Sequence, residues 1–358
     1  MKNKLFIIIT SLIISSVSIA NIIIPDKDFS DNENRTLSKL PVISFKSLLT
    51  GETASDFESY VADQFVFRDI WVSAKAHVEK LCGKKENNGV YYASDGYLIE
   101  ALDYNNDTIN KNLDIIKKFN NSDSTLLLIP TAYEILKEKL PKYAYSNVQT
   151  NILELAKSKT NIISPINILK ENKDRYIYYR TDHHQTSLGG YLTYKEFCEK
   201  KGITPIEYKP TVLADNFYGS AWSKATLNSV TPDTLSTVES DIKCKVTVND
   251  TQVFDSIYDY SKLETKDKYA VFLGGNYGKT VIETSAASDK TLLIIKDSYA
   301  NGLIPYLINH YKKIVMLDLR YYNQSIKQII ETKKPDEVLL IYNVSTLATD
   351  TNFKKLLF

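Results

Sequence analysis

The sequence predicts an α/β fold: a mostly parallel sheet flanked by helices. Three observations carry this reading. Thr125-Leu126-Leu127-Leu128-Ile129 is a short apolar run closed by Pro130, the pattern of a strand buried on both faces, and such strands belong to parallel sheets. Further strand-like runs, Thr291–Ile295, Lys313–Leu317 and Glu337–Tyr342, alternate with helical segments, as in a parallel α/β sheet. From about 203 to 268 the pattern changes to short alternating runs such as Lys243–Val248, which marks a β-rich insertion.

The amino terminus sets the compartment. Lys2 and Lys4 precede an uncharged apolar run, Leu5 to Ile24, close to the ~20 residues that cross a bilayer. Ser18-Ile19-Ala20 resembles a cleavage site, yet Ile22-Ile23-Ile24 continues the run beyond it. Residues 1–25 therefore read as an uncleaved membrane anchor with its lysines inside, a cleaved signal peptide being the close alternative. Either way the body lies outside the cytoplasm, anchored in the cell membrane or secreted.

Residues 26–88 read as a linker and an N-terminal helical region. Phe57, Val61, Phe65, Ile70 and Trp71 recur at helical intervals, with a break near Asp63–Asp69. The catalytic domain is expected over 89–358. It opens with a strand, an Asp95-Gly96 turn and a second strand up to Ile99. Helices are expected at 108–119, 147–158, 166–169 and 187–201, and a short strand at 160–163. Tyr269–Leu273 reads as a strand leading into Gly274-Gly275-Asn276. After Thr291–Ile295, a helical run extends to His310, and a last helix covers 325–331.

Composition narrows the function. Lys and Arg number 44 against 43 Asp and Glu, so no global basic surface argues for nucleic acid. Cys82, Cys198 and Cys244 are far apart, with no CxxC, which excludes a disulfide-built fold and a cysteine metal site. Of only four histidines, two stand together in Asp182-His183-His184. Histidine titrates near neutral pH and serves as base or ligand. A polar surface loop is the rival reading of this stretch. A metal site is a weaker one, since no third ligand appears at metal spacing.

Ser298 follows the strand Thr291–Ile295 and precedes a helical segment, the place in an open α/β sheet where active sites form. Serine needs a base to become a nucleophile, and His183 or His184 can be that base, with Asp182 orienting the ring. A plain helix N-cap is the rival role for Ser298.

Asp182-His183-His184 also matches the opening of the motif that names the DHHW family of bacterial surface proteins, with Gln185 at the family's Trp position. Asn32–Arg35, Val90-Tyr91, Asp95–Leu98, Gly219-Ser220, Phe272–Asn276, Lys296–Tyr299 and Asp318–Tyr322 resemble that family as well. The likeness runs through nearly the whole chain after the apolar segment. The family is similar to the SGNH-like domains of extracytoplasmic alginate O-acetyltransferases.

The resemblance implies an SGNH-hydrolase-like fold. It also implies catalytic residues Ser298, His184 and Asp182, an acetyl-serine intermediate, and no cofactor or metal. The implied reaction is O-acetyl transfer to, or acetyl-ester hydrolysis on, a cell-surface glycan, with an integral membrane acyltransferase as a partner that supplies acetyl groups. The alternative is an inactive member that binds glycans or assists envelope assembly. Oxyanion donors are expected from Ser298, Gly275 and Asn276, because a glycine turn lets the backbone approach a ligand and an amide can donate. His183, Arg320 and Tyr321 are expected along the substrate cleft. Two departures stand out. Lys296 occupies a position where the related motif often has Gly, and the absent Trp removes an aromatic floor beside His184.

Overall fold

The computed structural model describes residues 2–30, 32–33, 35–119, 124–227 and 230–358; Asn34 of the 32–35 motif lies outside them. The chain divides into two units, residues 1–87 with 223–229, and residues 88–222 with 230–358.

The first unit is helical: Lys2–Ile23, Phe45–Leu49, Glu52–Gln64 and Arg68–Leu81. Residues Lys4–Ile23 have a mean hydropathy of 2.3, and this helix is long and apolar enough to cross a membrane. The expected break falls at Phe67, whose φ of 57° ends one helix before the next begins. Charge holds the polar strap that follows the apolar helix. Arg35 grips both oxygens of Asp63, at 2.9 and 2.5 Å, and Arg68 meets Glu33 at 2.8 Å. A planar guanidinium matches a carboxylate in this two-pronged way.

The second unit is built on one eight-stranded sheet. Its strands in chain order are β1 (Ser124–Ile129), β2 (Ile162–Ile163), β3 (Cys244–Val248), β4 (Gln252–Phe254), β5 (Lys279–Thr284), β6 (Thr291–Lys296), β7 (Lys313–Asp318) and β8 (Glu337–Asn343). Their spatial order is β4-β3-β5-β7-β6-β8-β1-β2. The five strands from β7 to β2 are parallel, while β5, β3 and β4 extend the sheet antiparallel.

The apolar runs fit this architecture because side chains alternate between faces. Leu127, Ile129, Leu292, Ile294, Ile314, Met316, Leu339 and Ile341 join one core. Their neighbours Leu126, Leu128, Leu293, Ile295, Val315, Leu317, Val338 and Leu340 join the core on the opposite face. Each such side chain, fully buried, contributes ~1.5–3 kcal/mol. Helices Asn106–Phe119 and Val148–Lys159 bury Leu113, Ile116 and Ile152 in the second of these layers.

Two local expectations are corrected. Tyr269–Leu273 is not a strand. Residues Lys268–Val271 form a 3-10 turn, and Leu273 sits at φ 64°, which a strand does not admit. The run from Ser298 to His310 is not one helix but a 3-10 segment, Ser298–Leu303, followed by a single α-turn, Ile304–Leu307, with Pro305 in its first turn. Proline is tolerated there and nowhere deeper in a helix. Within 203–268, Pro210–Phe217 and Asp233–Val238 form a separate two-stranded ladder, and β3 and β4 join the main sheet.

What matters for function is alignment of strand ends. Lys296 is level with Asp318, the last residue of β7, and with Ile341, two residues before the end of β8, so the three strands end close to one another.

Candidate active site

The Asp182–His184 stretch is the tip of a short hairpin. Tyr178 pairs with Gln185 across it, and the Tyr179 N–H donates to the His184 carbonyl. The bend is fixed from beneath by Asp233, which is fully buried and accepts from the Arg180 and Thr181 N–H groups at 2.8 and 2.7 Å. Thr186 ends the hairpin by capping helix Ser187–Lys201, its side chain accepting from the Gly189 N–H. A threonine cap satisfies one orphan N–H of that helix.

Asp182 has both oxygens occupied. Oδ1 accepts from the His184 N–H at 2.9 Å and from His184 Nδ1 at 2.6 Å. Oδ2 accepts from the Ser220 N–H at 2.9 Å. The segment before Ser220 must come close, and Gly219 allows it: a Cβ there would sit 2.2 Å from the Asp182 side chain. Gly219-Ser220 is thus a glycine needed for close approach.

Ser298 enters from β6. Asp297 caps the turn by accepting from the Tyr299 N–H at 2.9 Å, and it also takes the Asn343 N–H and Nδ2 at 2.8 Å each. Asp297, not Ser298, is therefore the N-cap. The Ser298 hydroxyl is left to face His184 Nε2 at 2.8 Å. Ser298 lies more than a hundred residues downstream of Asp182 and His184, yet the three form one hydrogen-bonded row.

Electrostatics assigns the protons. Burial pushes the His184 imidazole down to about 4, reinforced by the neighbouring His183 and opposed by Asp182. At neutral pH it is unprotonated. An Nδ1–H toward Asp182 leaves the Nε2 lone pair toward the Ser298 O–H, a tautomer assigned from the partners. Burial by itself would raise the Asp182 carboxyl, but the two histidines and the Ser220 N–H outweigh it and hold the group well below the ordinary carboxylate range. The row is an ionised carboxylate, a neutral imidazole and a hydroxyl. Such a set can take the serine proton as the oxygen attacks a carbonyl.

The donor atoms of Asp182, His183 and His184 lie within 4.8 Å of one another, a spacing open to a metal ion. Both His184 nitrogens, however, are already engaged, one by Asp182 and one by Ser298.

The missing tryptophan leaves no gap. Tyr269 stacks on the His184 ring with centroids 3.8 Å apart and planes 9° from parallel, so the aromatic floor comes from a residue eighty-five positions downstream. Gln185 turns inward instead, taking the Thr193 hydroxyl at 3.0 Å. His183 lies over the other side of His184, centroids 3.9 Å apart, with Nδ1 at 2.6 Å from the Ser220 hydroxyl. It is one-third exposed, whereas His184 is buried.

The other expected site residues divide. Gly275 turns its N–H to the Phe272 carbonyl at 3.3 Å, so that group is not aimed at an oxyanion. Asn276 is exposed, and its Oδ1 accepts from Lys296 Nζ at 2.8 Å and Asn301 Nδ2 at 3.2 Å. Lys296 is the last residue of β6, and its side chain runs into the interior, 3% exposed. Arg320 grips Asp318 with two bonds, 2.9 and 2.6 Å, and Asp318 Oδ2 lies 3.6 Å from Lys296 Nζ. Tyr321 is exposed against the Arg320 guanidinium.

Sequence reasoning misses Tyr269, Asp233, Asp297 and Asn301. Only Asp297 carries a signal, its place beside Ser298; the others join the site through tertiary contacts that no local pattern announces.

The DHHW protein family profile matches residues 90–317. A DHHW family protein from Eubacterium siraeum has a similar crystal structure, 24% identical, covering 76% of this chain and 95% of its own, with a TM-score of 0.66. PatB1 of Bacillus cereus, whose structure is also known with a sulfonyl adduct, is 22% identical and covers 72% of this chain and 97% of its own, with a TM-score of 0.61. The O-acetyltransferase domain of Pseudomonas putida AlgJ is 11% identical, covers 73% of this chain and 93% of its own, and has a TM-score of 0.46. No curated protein matches the chain. The likenesses concern the fold, and the profile, which spans well over half of the sequence and includes the Asp182, His183 and His184 motif, decides the family: this chain belongs to the DHHW proteins.

Proposed function

We propose that the protein is an extracytoplasmic serine-dependent O-acetyltransferase or acetylesterase acting on a cell-surface polysaccharide. The observation that carries this reading is the row from Ser298 Oγ through His184 to Asp182, at 2.8 and 2.6 Å. The apolar helix Lys4–Ile23 supports an anchor or export signal that places the body outside the membrane.

The proposed cycle passes through two acyl transfers. Ser298 Oγ bonds to the carbonyl carbon of an acetyl ester while its proton passes to His184 Nε2. Asp182 stabilises the imidazolium. The tetrahedral intermediate expels the donor's alkoxide, which takes the proton from His184, and acetyl-Ser298 remains. A sugar hydroxyl or water then gives its proton to His184 and bonds to the acetyl carbon, and Ser298 leaves with that proton. An integral membrane acyltransferase is the proposed source of acetyl groups in the cell.

Hydrolysis of 4-nitrophenyl acetate by the wild type and Ser298→Ala tests the reading. The expected loss is at least ~10³-fold, together with loss of a covalent acetyl adduct on intact protein. Unchanged turnover in Ser298→Ala would discard it and favour an inactive glycan-binding member.

A further inference from the structure

Lys296 is a buried amine at the end of the strand that carries Ser298, and the proposed cycle does not use it. Its Nζ donates to Asn276 Oδ1 and Asn301 Oδ1 at 2.8 Å each, and lies 3.6 Å from Asp318 Oδ2. Asp318 is itself held by Arg320. An ammonium has three donors and no acceptor. It therefore dictates which way each amide is turned: both must present oxygen to Lys296. The Asn301 amide nitrogen then points to Asn276 Oδ1 and to the Gly275 carbonyl, at 3.2 and 3.5 Å. The Asn276 amide nitrogen is left without a hydrogen-bond partner among the described residues, on an exposed side chain. The Ser298 N–H likewise has none there, because Asp297 takes the Tyr299 N–H instead.

We infer that Lys296 is a positioning residue. By holding the oxygens of Asn276 and Asn301, it keeps the Asn276 Nδ2–H₂ presented beside Ser298, where it joins the Ser298 N–H in receiving the oxyanion of an acyl-transfer intermediate. Asn276 is tied to this place twice, through Lys296 two residues before Ser298 and through Asn301 within the serine's own turn. A lysine that merely neutralised Asp318 would not need both amides as acceptors. Without Lys296, the Asn276 amide loses the partner that selects one of its two orientations, and half of its orientations present an oxygen to the oxyanion. The inference rests on the serine-enzyme reading above.

Burial pushes the Lys296 ammonium down to about 8, with the Arg320 charge adding to the fall and Asp318 and Asp297 pulling the other way. Deprotonation weakens both bonds by removing the charge and leaves a lone pair that can accept an amide N–H, so the oxygen-inward orientation is no longer enforced. The geometry therefore implies an alkaline decline in kcat that belongs to Lys296.

The experiment is a double-mutant cycle of Asn276→Ala and Lys296→Met on 4-nitrophenyl acetate hydrolysis, with kcat, KM and pH profiles measured. Asn276→Ala, at an exposed side chain, is expected to lower kcat by ~10²-fold with KM little changed, the effect of removing one oxyanion donor. Lys296→Met is expected to lower kcat by ~10-fold or more, to lose the decline near pH 8, and to have no further effect when Asn276 is already Ala. Additive losses in the double variant, or a Lys296→Met enzyme that keeps the alkaline decline, would overturn the inference. Should Lys296→Met fail to fold, unchanged kcat in Asn276→Ala would overturn it, and the expected loss there would support it. A wild type without Ser298-dependent turnover removes the enzyme reading and this inference together. An active wild type indifferent to Asn276→Ala removes this inference alone.

Discussion

The Asp182–His184 hairpin is held largely by main-chain donors, whereas the proposed oxyanion side of Ser298 is held by side chains that converge on one buried lysine. On the hairpin, Asp182 accepts N–H groups from His184 and Ser220, and Asp233 accepts those of Arg180 and Thr181. The donors there are backbone N–H groups that no substitution exchanges, and the bonds depend on just two acceptors, the Asp182 and Asp233 carboxylates. On the other side, Lys296, Asn301 and Asn276 form the support, and a single substitution can reorient an amide. The two halves should therefore fail in different ways: the first by losing proton transfer, the second by losing stabilisation of charge.

Asp182→Asn breaks the hairpin half most sharply. Asn keeps the shape but removes the charge that stabilises the imidazolium, and it favours the wrong His184 tautomer. In the Ser-His-Asp triad of serine proteases the equivalent change costs ~10⁴-fold in kcat. A loss of that order is expected here in acetate-ester hydrolysis, well above the ~10²-fold of Asn276→Ala. Equal losses at Asp182 and Asn276 would show that the halves are not separable in this way.

The pH dependence sharpens the same contrast. His184 must be neutral to accept the Ser298 proton, and its folded value lies at about 4. Activity should hold down to roughly pH 4 and then fall about tenfold per unit, an acid limb owned by the hairpin. Stability follows the same group. Its folded value lies below the ordinary 6.5, so between these limits the unfolded chain binds the extra proton. The contribution of His184 is complete above pH 6.5 and is lost as pH falls through 4. Urea midpoints measured from about pH 7 to 4 should fall, and fall less in His184→Gln. An acid limb in activity centred near 6.5 would show that His184 is not shielded from water.

How much of this is legible in the sequence depends on the range of the interaction. Strands β1, β6 and β8 announce themselves through residues buried on both faces, because burial in a parallel sheet writes itself into consecutive positions. Asp182, His184 and Ser298 are legible because scarce residue types with matched chemistry stand at loop positions. The turn at 268–273 is not: Tyr269, Val271 and Phe272 are apolar because they pack against Tyr179 and Phe217, and the resulting pattern imitates a strand. Lys296 misleads for a related reason. The sequence marks it only as standing where the related motif often has Gly, and only the structure shows its amine carried inward to two amides.

Tyr269 offers the finest distinction, since it serves the hairpin half from outside the hairpin. Its ring lies flat on His184 at 3.8 Å, while its hydroxyl reaches the Ser298 carbonyl at only 3.5 Å. The stack is the better-formed contact, and the hydroxyl bond is at the limit of useful length. Tyr269→Phe, which keeps the ring, should therefore stay within about twofold of wild-type kcat, because the stacked face is what fixes the imidazole plane. Tyr269→Ala should lose stability by about 3 kcal/mol, as large aromatic truncations in a core do. Where it remains folded, it should lower kcat about tenfold with little change in KM, because the imidazole is free to tilt away from Ser298. The reverse order, a damaging Phe and a tolerated Ala, would mean that the Tyr269 hydroxyl positions Ser298 and that His184 needs no floor, placing Tyr269 with the serine turn instead of the hairpin.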